Sequence, residues 1–232
     1  MAATRMKSSM RFSQCPHQCV LTLLSFPYPP SDLWAQHTAT YYQLQVANRP
    51  DILGYLLPSV ALVFRGLPDW ALDDENRTLT LSTGSTAAER SAVVAKTCEA
   101  LRQLGHFEIL KGWRNELYPV YGTGSKHLFD IERSASPLFG VVTYGVHMTV
   151  YTRDKGSGEL KIWVPRRART KQTYGGMLDN SVAGGISTGE QPFECLVREA
   201  EEEASLPEDL VRRNARSCGT VTYFYIRDER AG

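Results

Sequence analysis

The stretch that most constrains this chain is VAGGISTGEQPFECLVREAEEEASL, running from Val182 to Leu206, which sets six glutamates and one arginine behind a glycine pair. Pro192 suits the first turn of a helix, where its missing N–H would be unpaired anyway, and residues 193 to 204 are rich in good helix formers. At about 3.6 residues per turn, Glu199 and Glu203 lie one above the other, Glu202 lies beside them, and Arg198 is four before Glu202. Three carboxylates therefore share one face. Like charges at this spacing repel by a few tenths of a kcal/mol per pair on a solvated surface, and an arginine roughly offsets that. A solvated acidic face would tolerate the pattern. A hard divalent cation, Mg²⁺ or Mn²⁺, requires it: oxygen ligands converging on one patch, with waters and phosphate oxygens completing an octahedron. Gly184 and Gly185 ahead of the helix let backbone approach that patch closely.

Other segments supply the surrounding elements. RTLTLS at 77 to 82 alternates as a short strand, and ILGYLLPSVALVF at 52 to 64 is apolar but interrupted by Pro58. Thr86 with Glu89 forms a capping box, and Val94, Cys98 and Leu101 recur at helical spacing until Gly105. Residues 38 to 136 thus read as a small α/β unit. A second unit, 137 to 232, opens with LFGVVTYGVHMTVYTRD, in which Val142, Tyr144, Val146, Met148 and Val150 face one way over a long strand. RDKGSGE reverses the chain, with Gly156 and Gly158 supplying turn conformations, and LKIWVPRRA returns. GTVTYFYIRD at 219 to 228 is a further strand candidate by its β-branched and aromatic content.

Bulk properties narrow the function classes. The net charge of +1 gives no electrostatic case for a nucleic-acid polymer or an anionic membrane. No run approaches the roughly 20 apolar residues of a membrane helix. Five scattered cysteines suggest reduced thiols, and the CPHQC stretch lacks a second Cys/His pair at zinc-finger spacing. Residues 1 to 37 read as a tail, with folded structure beginning after it. Its first 31 residues carry Arg5, Lys7 and Arg11 and no acid, a composition shared by mitochondrial transit segments and disordered tails. A cytoplasmic location, or a mitochondrial one, is expected.

Gly184, Glu190, Arg198, Glu199, Ala200, Glu202, Glu203 and Leu206 fall in register with the Nudix box, G-x5-E-x7-R-E-U-x-E-E-x-G-U, where U is aliphatic. Ser205 replaces the final glycine. With LKGWRNELYPVYG, LFGVVTYGVHMTVY and LKIWVPRRARTKQTYGGMLDNSVAGG upstream, the chain resembles fungal and plant Nudix hydrolases related to thiamine diphosphate. That group also forms the N-terminal part of some fungal thiamine pyrophosphokinases, so a thiamine pyrophosphokinase lacking its kinase domain is a further alternative. The resemblance implies an α/β/α sandwich with a mixed sheet, preceded by a small α/β domain. It implies Glu199 and Glu203 as metal ligands, Glu202 as a further ligand or an orienter of water, and Glu190, Arg198, Gly184 and Gly185 as shapers of helix and loop. The implied activity is Mg²⁺- or Mn²⁺-dependent hydrolysis of a small diphosphate: damaged thiamine diphosphate to the monophosphate, or 8-oxo-dGDP to 8-oxo-dGMP. Few residues follow the box, so the Nudix sheet is expected to be incomplete; a catalytically impaired fragment that binds thiamine diphosphate or a nucleotide is the alternative.

Substrate contacts are expected next to the box. Arg166, Arg167, Arg169 and Lys171 form a basic run that either reaches a diphosphate or ends a solvated strand. Met177, Leu178, Asp179 and Asn180 are candidates for the substrate loop, in which Gly175 stands where the resemblance leads one to expect proline, loosening the loop. Trp113 and Trp163 could stack on a heteroaromatic ring or be buried structurally. His147 reads as structural, His106 and His127 have no partner at a telling spacing, and Cys195 reads as a small buried residue rather than a nucleophile.

Overall fold

The computed structural model describes residues 31–171 and 174–224. The described residues divide into two compact units, one comprising 31–39 and 218–224, the other running from 40 to 217. In the first, helix α1 (Asp32–Thr38) starts at Ser31, whose hydroxyl accepts the Trp34 N–H at 3.2 Å. Helical structure therefore begins ahead of residue 38, within the stretch expected to be a tail; a serine N-cap followed by an acidic first turn was a start signal in that stretch. Trp34 meets Phe224 edge-on, with ring centroids 4.9 Å apart. The CPHQC stretch and the acid-free N-terminus lie outside the described residues. Of the strand expected at 219–228, residues 219–224 are not in a strand, and the rest lies outside the described residues. β-Branched content marks fitness for a sheet, and a strand also needs a paired edge.

The second unit opens with β1 (Tyr42–Val46), β2 (Gly54–Leu56), α2 (Pro58–Ala61), β3 (Trp70–Asp73), β4 (Thr78–Leu81) and α3 (Ala87–Leu104). The strands form a mixed sheet in the order β2-β1-β4-β3, parallel only between β1 and β4. Period-2 burial turns Leu44, Val46, Leu79 and Leu81 inward, as alternating sequences should on a half-buried sheet. Pro58 sits at the start of α2, where its lack of an N–H costs nothing. α3 carries the expected capping box: the Glu89 N–H donates to Thr86 Oγ1 at 3.2 Å and the Thr86 N–H to Glu89 Oε2 at 3.1 Å. Gly105, at φ +65°, ends it, and Val94, Cys98 and Leu101 are buried beneath it.

A hairpin follows, β5 (Leu117–Gly122) and β6 (Lys126–Glu132), then α4 (Ser136–Phe139). The expected long strand is broken into β7 (Gly145–Met148) and β8 (Val150–Arg153). The reason is a change of partner. β8 pairs with β9 (Leu160–Trp163), whereas β7 pairs with β10 (Val182–Gly185). The Val150 N–H donates to Ser181 Oγ at 2.8 Å, and Ser181 Oγ donates to the Trp163 carbonyl at 2.5 Å, at the point of divergence. Val142 and Tyr144 are exposed rather than part of one apolar face. In the β8–β9 turn, Asp154 Oδ1 accepts the Gly156 and Ser157 N–H groups at 3.0 Å. Gly158 takes φ +69° there, while Gly156 has no positive φ.

Helices α5 (Pro192–Ala204) and α6 (Glu208–Asn214) complete the unit. Two apolar clusters hold it together. The larger includes Phe64, Phe129 and Phe139 with the sheet and α3; the smaller joins Val182, Val197, Ala200 and Val211. Val197 and Ala200 thus fix α5 against β10 and α6, leaving Glu201, Glu202 and Glu203 exposed and Glu199 partly buried. Among the described residues no helix is long and apolar enough to cross a membrane.

Helix α5 ends in a left-handed residue, Ser205, at φ +53° and ψ +35°, whose N–H bonds the Glu201 carbonyl at 3.0 Å while the Leu206 N–H bonds the Ala200 carbonyl at 3.1 Å. A non-glycine residue pays about 1–2 kcal/mol for that conformation, part of which glycine returns through its greater freedom when unfolded. We therefore expect Ser205→Gly to stabilise the chain by roughly 0.5–1 kcal/mol, seen as a midpoint rise of about 1–4 °C in thermal unfolding. An unchanged or lowered midpoint would contradict this account of the helix end.

Candidate active site

The glycine pair serves two different neighbours. A Cβ on Gly184 would lie 2.1 Å from Glu199 Cδ, and one on Gly185 would lie 1.9 Å from Tyr118 Oη. One glycine seats a glutamate of α5 against β10, and the other admits a tyrosine of β5. Beneath them the Cys195 thiol donates to the Gly185 carbonyl at 3.3 Å. Burial pushes that thiol up to about 12, so Cys195 packs and does not act as a thiolate nucleophile.

Arg198 ties helix to loop. Its Nε and Nη2 donate to the two oxygens of Glu190 at 2.8 and 3.1 Å, and its Nη1 to Glu199 at 2.9 Å and Glu202 at 3.3 Å. The Glu190 carboxylate also accepts the Ser187 N–H at 3.3 Å. The guanidinium beside it lowers the Glu190 pKa. Glu199 moves the other way: burial raises it, Arg198 pulls it down, and Glu203 and Glu202 push it up again, with a net rise. Glu203 Oε2 accepts the Ala183 N–H at 3.2 Å.

These side chains line one wall of an open cleft of about 870 Å³. Arg114, Glu116 and Arg133, which also line it, come from the open end of the β5–β6 hairpin, where the Arg133 N–H donates to the Glu116 carbonyl at 2.8 Å. The loop between β10 and α5 is fastened to that hairpin. Ser187 Oγ donates to Glu116 Oε1 at 3.0 Å, the Thr188 N–H to the Leu117 carbonyl at 2.8 Å, and Thr188 Oγ1 to Asp130 Oδ1 at 2.7 Å. As the side chains stand, no three acidic, histidine or cysteine groups among the described residues converge around a cation. The donor set still suits one: Glu199, Glu202 and Glu203 bring carboxylate oxygens to one cleft, and the absent Cβ of Gly184 makes the seat that Glu199 occupies.

The expected substrate residues separate. Arg167 and Lys171 line the cleft; Arg166, Asp179 and Asn180 are not part of its lining. Arg166 Nη1 donates to the Gly176 carbonyl at 2.6 Å, Arg167 pairs with Asp179, and Asn180 Nδ2 meets His147 Nδ1 at 2.8 Å. Successive residues of an extended segment point to opposite sides, so only alternate members of the basic run can face one site. Trp113 and Trp163 stay out of the lining: Trp113 lies under Arg102, 4.8 Å from ring centroid to guanidinium carbon, and Trp163 is exposed in β9. His127 has a partner after all, Asp130 Oδ1 at 2.7 Å. Gly175 draws its loop in rather than loosening it, because a Cβ there would lie 2.7 Å from the Arg169 carbonyl oxygen. Arg114, Glu116 and Arg133 had no sequence signal, because hairpin register brings them to the box from more than fifty residues away.

Residues 143–231 match the family model described as NUDIX domain, and residues 41–143 match Domain of unknown function (DUF4743). Residues 143–231 thus carry a domain of the Nudix superfamily. The chain is 40% identical over 139 residues to Nudix hydrolase 20, chloroplastic, and likewise to Nudix hydrolase 24, chloroplastic, both of Arabidopsis thaliana; each match covers 60% of this chain and 36% of that protein. An uncharacterized protein of Saccharomyces cerevisiae is 39% identical over 117 residues, covering 50% of this chain and 34% of that protein. The chain thus spans about a third of the length of the curated relatives it matches.

Because each glycine faces a separate neighbour, their substitutions should fail differently. Gly185→Ala forces Tyr118 out and should cost about 1–3 kcal/mol, of which Tyr118→Phe, lacking the hydroxyl that would be struck, returns part. Gly184→Ala should displace Glu199 and is not relieved by Tyr118→Phe. Thermal unfolding of the two single and two double variants checks this, and equal rescue of both would refute the division of roles.

Proposed function

We propose that this chain hydrolyses a diphosphate linkage in a small molecule, with Mg²⁺ or Mn²⁺ held by Glu199, Glu202 and Glu203. The observation that carries this reading is that the three box carboxylates line one cleft together with Arg167, Lys171 and the hairpin arginines. Hydrolysing a diphosphate means neutralising two phosphates while directing water at phosphorus, with little covalent chemistry left for the protein. A divalent ion, when bound, supplies charge neutralisation and an activated water. The chain's own residues supply the rest: Arg198 and Glu190 hold α5 to its loop, Gly184 seats Glu199, and the basic residues offer donors to phosphate oxygens.

Two substrates are favoured by the resemblance that carries the box and its upstream segments. One is damaged thiamine diphosphate, in its oxo or oxy forms, giving the monophosphate and phosphate. The other is 8-oxo-dGDP, giving 8-oxo-dGMP.

The experiment is phosphate release from oxythiamine diphosphate and from 8-oxo-dGDP with Mg²⁺ or Mn²⁺ supplied. Glu203→Gln should lower kcat by more than about a hundredfold, beyond the loss typical of an outer-shell partner. Added Mg²⁺ or Mn²⁺ should raise the unfolding midpoint of the parent protein, since an ion that binds only the folded state stabilises it, and should do so less for Glu203→Gln. A variant as active as its parent, or no release from either substrate, defeats the reading.

A further inference from the structure

On the reading of the cleft as a diphosphate site, we propose that Arg133, from the segment preceding the Nudix domain, binds a substrate phosphate, so that the β5–β6 hairpin supplies the cationic wall facing the box carboxylates.

The box's own arginine is already engaged. Arg198 spends its guanidinium on Glu190, Glu199 and Glu202, which leaves it an internal clamp rather than a phosphate donor. Arg133 lines the same cleft and is differently held. Its Nη1 donates to Glu116 Oε2 at 2.8 Å, and its guanidinium carbon lies 5.5 Å from the Tyr118 ring centroid. The side chain is 35% exposed. A guanidinium has five N–H donors, and a fork oriented by one carboxylate and one aromatic face can still present a planar edge to a phosphate.

The support behind it is fixed to the box loop at several points. Glu116, which holds Arg133, accepts Ser187 Oγ at 3.0 Å through its other oxygen, and Tyr118, over which Arg133 lies, occupies the space left by Gly185. Movement of the loop and placement of Arg133 are therefore coupled through two side chains. Arg133 also carries the electrostatic mark of the site: burial alone would lower its pKa, but the hydrogen bond to Glu116, with Tyr118 and Glu199 adding to it, raises it instead. Glu199, which lines the same cleft, is near enough to act on it.

The test uses the full chain, with Arg133→Met keeping an apolar stem against Tyr118 and Arg133→Lys keeping a charge without the fork. Binding of methylenediphosphonate, a non-hydrolysable diphosphate, is measured by calorimetry with Mg²⁺ present, beside KM and kcat for oxythiamine diphosphate. Arg133→Met should raise both the Kd and KM about ten- to a hundredfold, the range for losing a hydrogen bond to a charged group. The Mg²⁺-dependent rise in unfolding midpoint should be unchanged, since the carboxylates are intact. Arg133→Lys should recover part of the loss. A folded Arg133→Met with parental Kd and KM overturns the inference. Should that variant fail to fold, Arg133→Lys decides, and a parental Kd there overturns it equally. A parent protein that neither releases phosphate nor binds the diphosphonate instead defeats the proposed function on which the inference rests.

Discussion

The site depends on one guanidinium. Arg198 faces three carboxylates at once, and its planar fork satisfies both oxygens of Glu190 while Nη1 reaches Glu199 and Glu202. A lysine at this position could neutralise charge but could not hold a loop carboxylate in two parallel bonds. The geometry is what lets α5 gather so much negative charge beside β10 without being pushed off it. Yet the compensation is partial: the pKa of Glu199 stays raised by burial and by its glutamate neighbours despite the arginine. A protein selected for stability alone would dilute such a cluster. Its retention at a cost is what functional sites commonly show.

From Arg198 the constraint passes outward. Glu190 fixes the loop through the Ser187 N–H, and Ser187 and Thr188 fix the same loop to the β5–β6 hairpin. The hairpin is rooted in the larger apolar cluster through Val120, Leu128, Phe129 and Ile131, whereas α5 rests on the smaller one through Val197 and Ala200. The cleft is the seam between two cores. Tyr118 shows how close the seam is: buried, with its hydroxyl pushed up to about 12 by that burial, it fits only because residue 185 has no side chain.

Much of this was legible from local signals. The capping box of α3, the alternation of β4, and the register of the box each depend on neighbours in sequence, and α3, β4 and α5 formed where those neighbours said. The failures share a physical cause. Val142 to Val150 alternate as one strand would, but whether an alternating segment stays one strand depends on which edges it meets, and here β7 and β8 meet different ones. Arg166 and Arg167 are equal in composition, and only the side each faces separates the cleft residue from the one bonded to Gly176. Arg114 and Arg133 carry no motif, since their place in the cleft comes from the β5–β6 register and from Tyr118 packing on Gly185. Sequence spacing describes one element at a time, whereas this site is assembled from three.

That assembly bears on how a diphosphate would be held. Five basic and five acidic side chains line the cleft, and the acids on the box wall already engage the arginine there. In that balanced state a multiply charged anion gains little by entering, because each guanidinium it recruits leaves a carboxylate uncompensated and partly desolvated. A divalent cation held by Glu199, Glu202 and Glu203 would offset two of their three charges and tip the cleft to net positive, which favours an anion. Cation and diphosphate affinity would then be coupled, and coupling of binding free energies is reciprocal: whatever the cation adds to the anion's affinity, the anion adds to the cation's. The hairpin adds Arg114 and Arg133 to the cleft from outside the box, and Arg133, although paired with Glu116, has further guanidinium N–H donors beyond that bond, on which the coupling would draw.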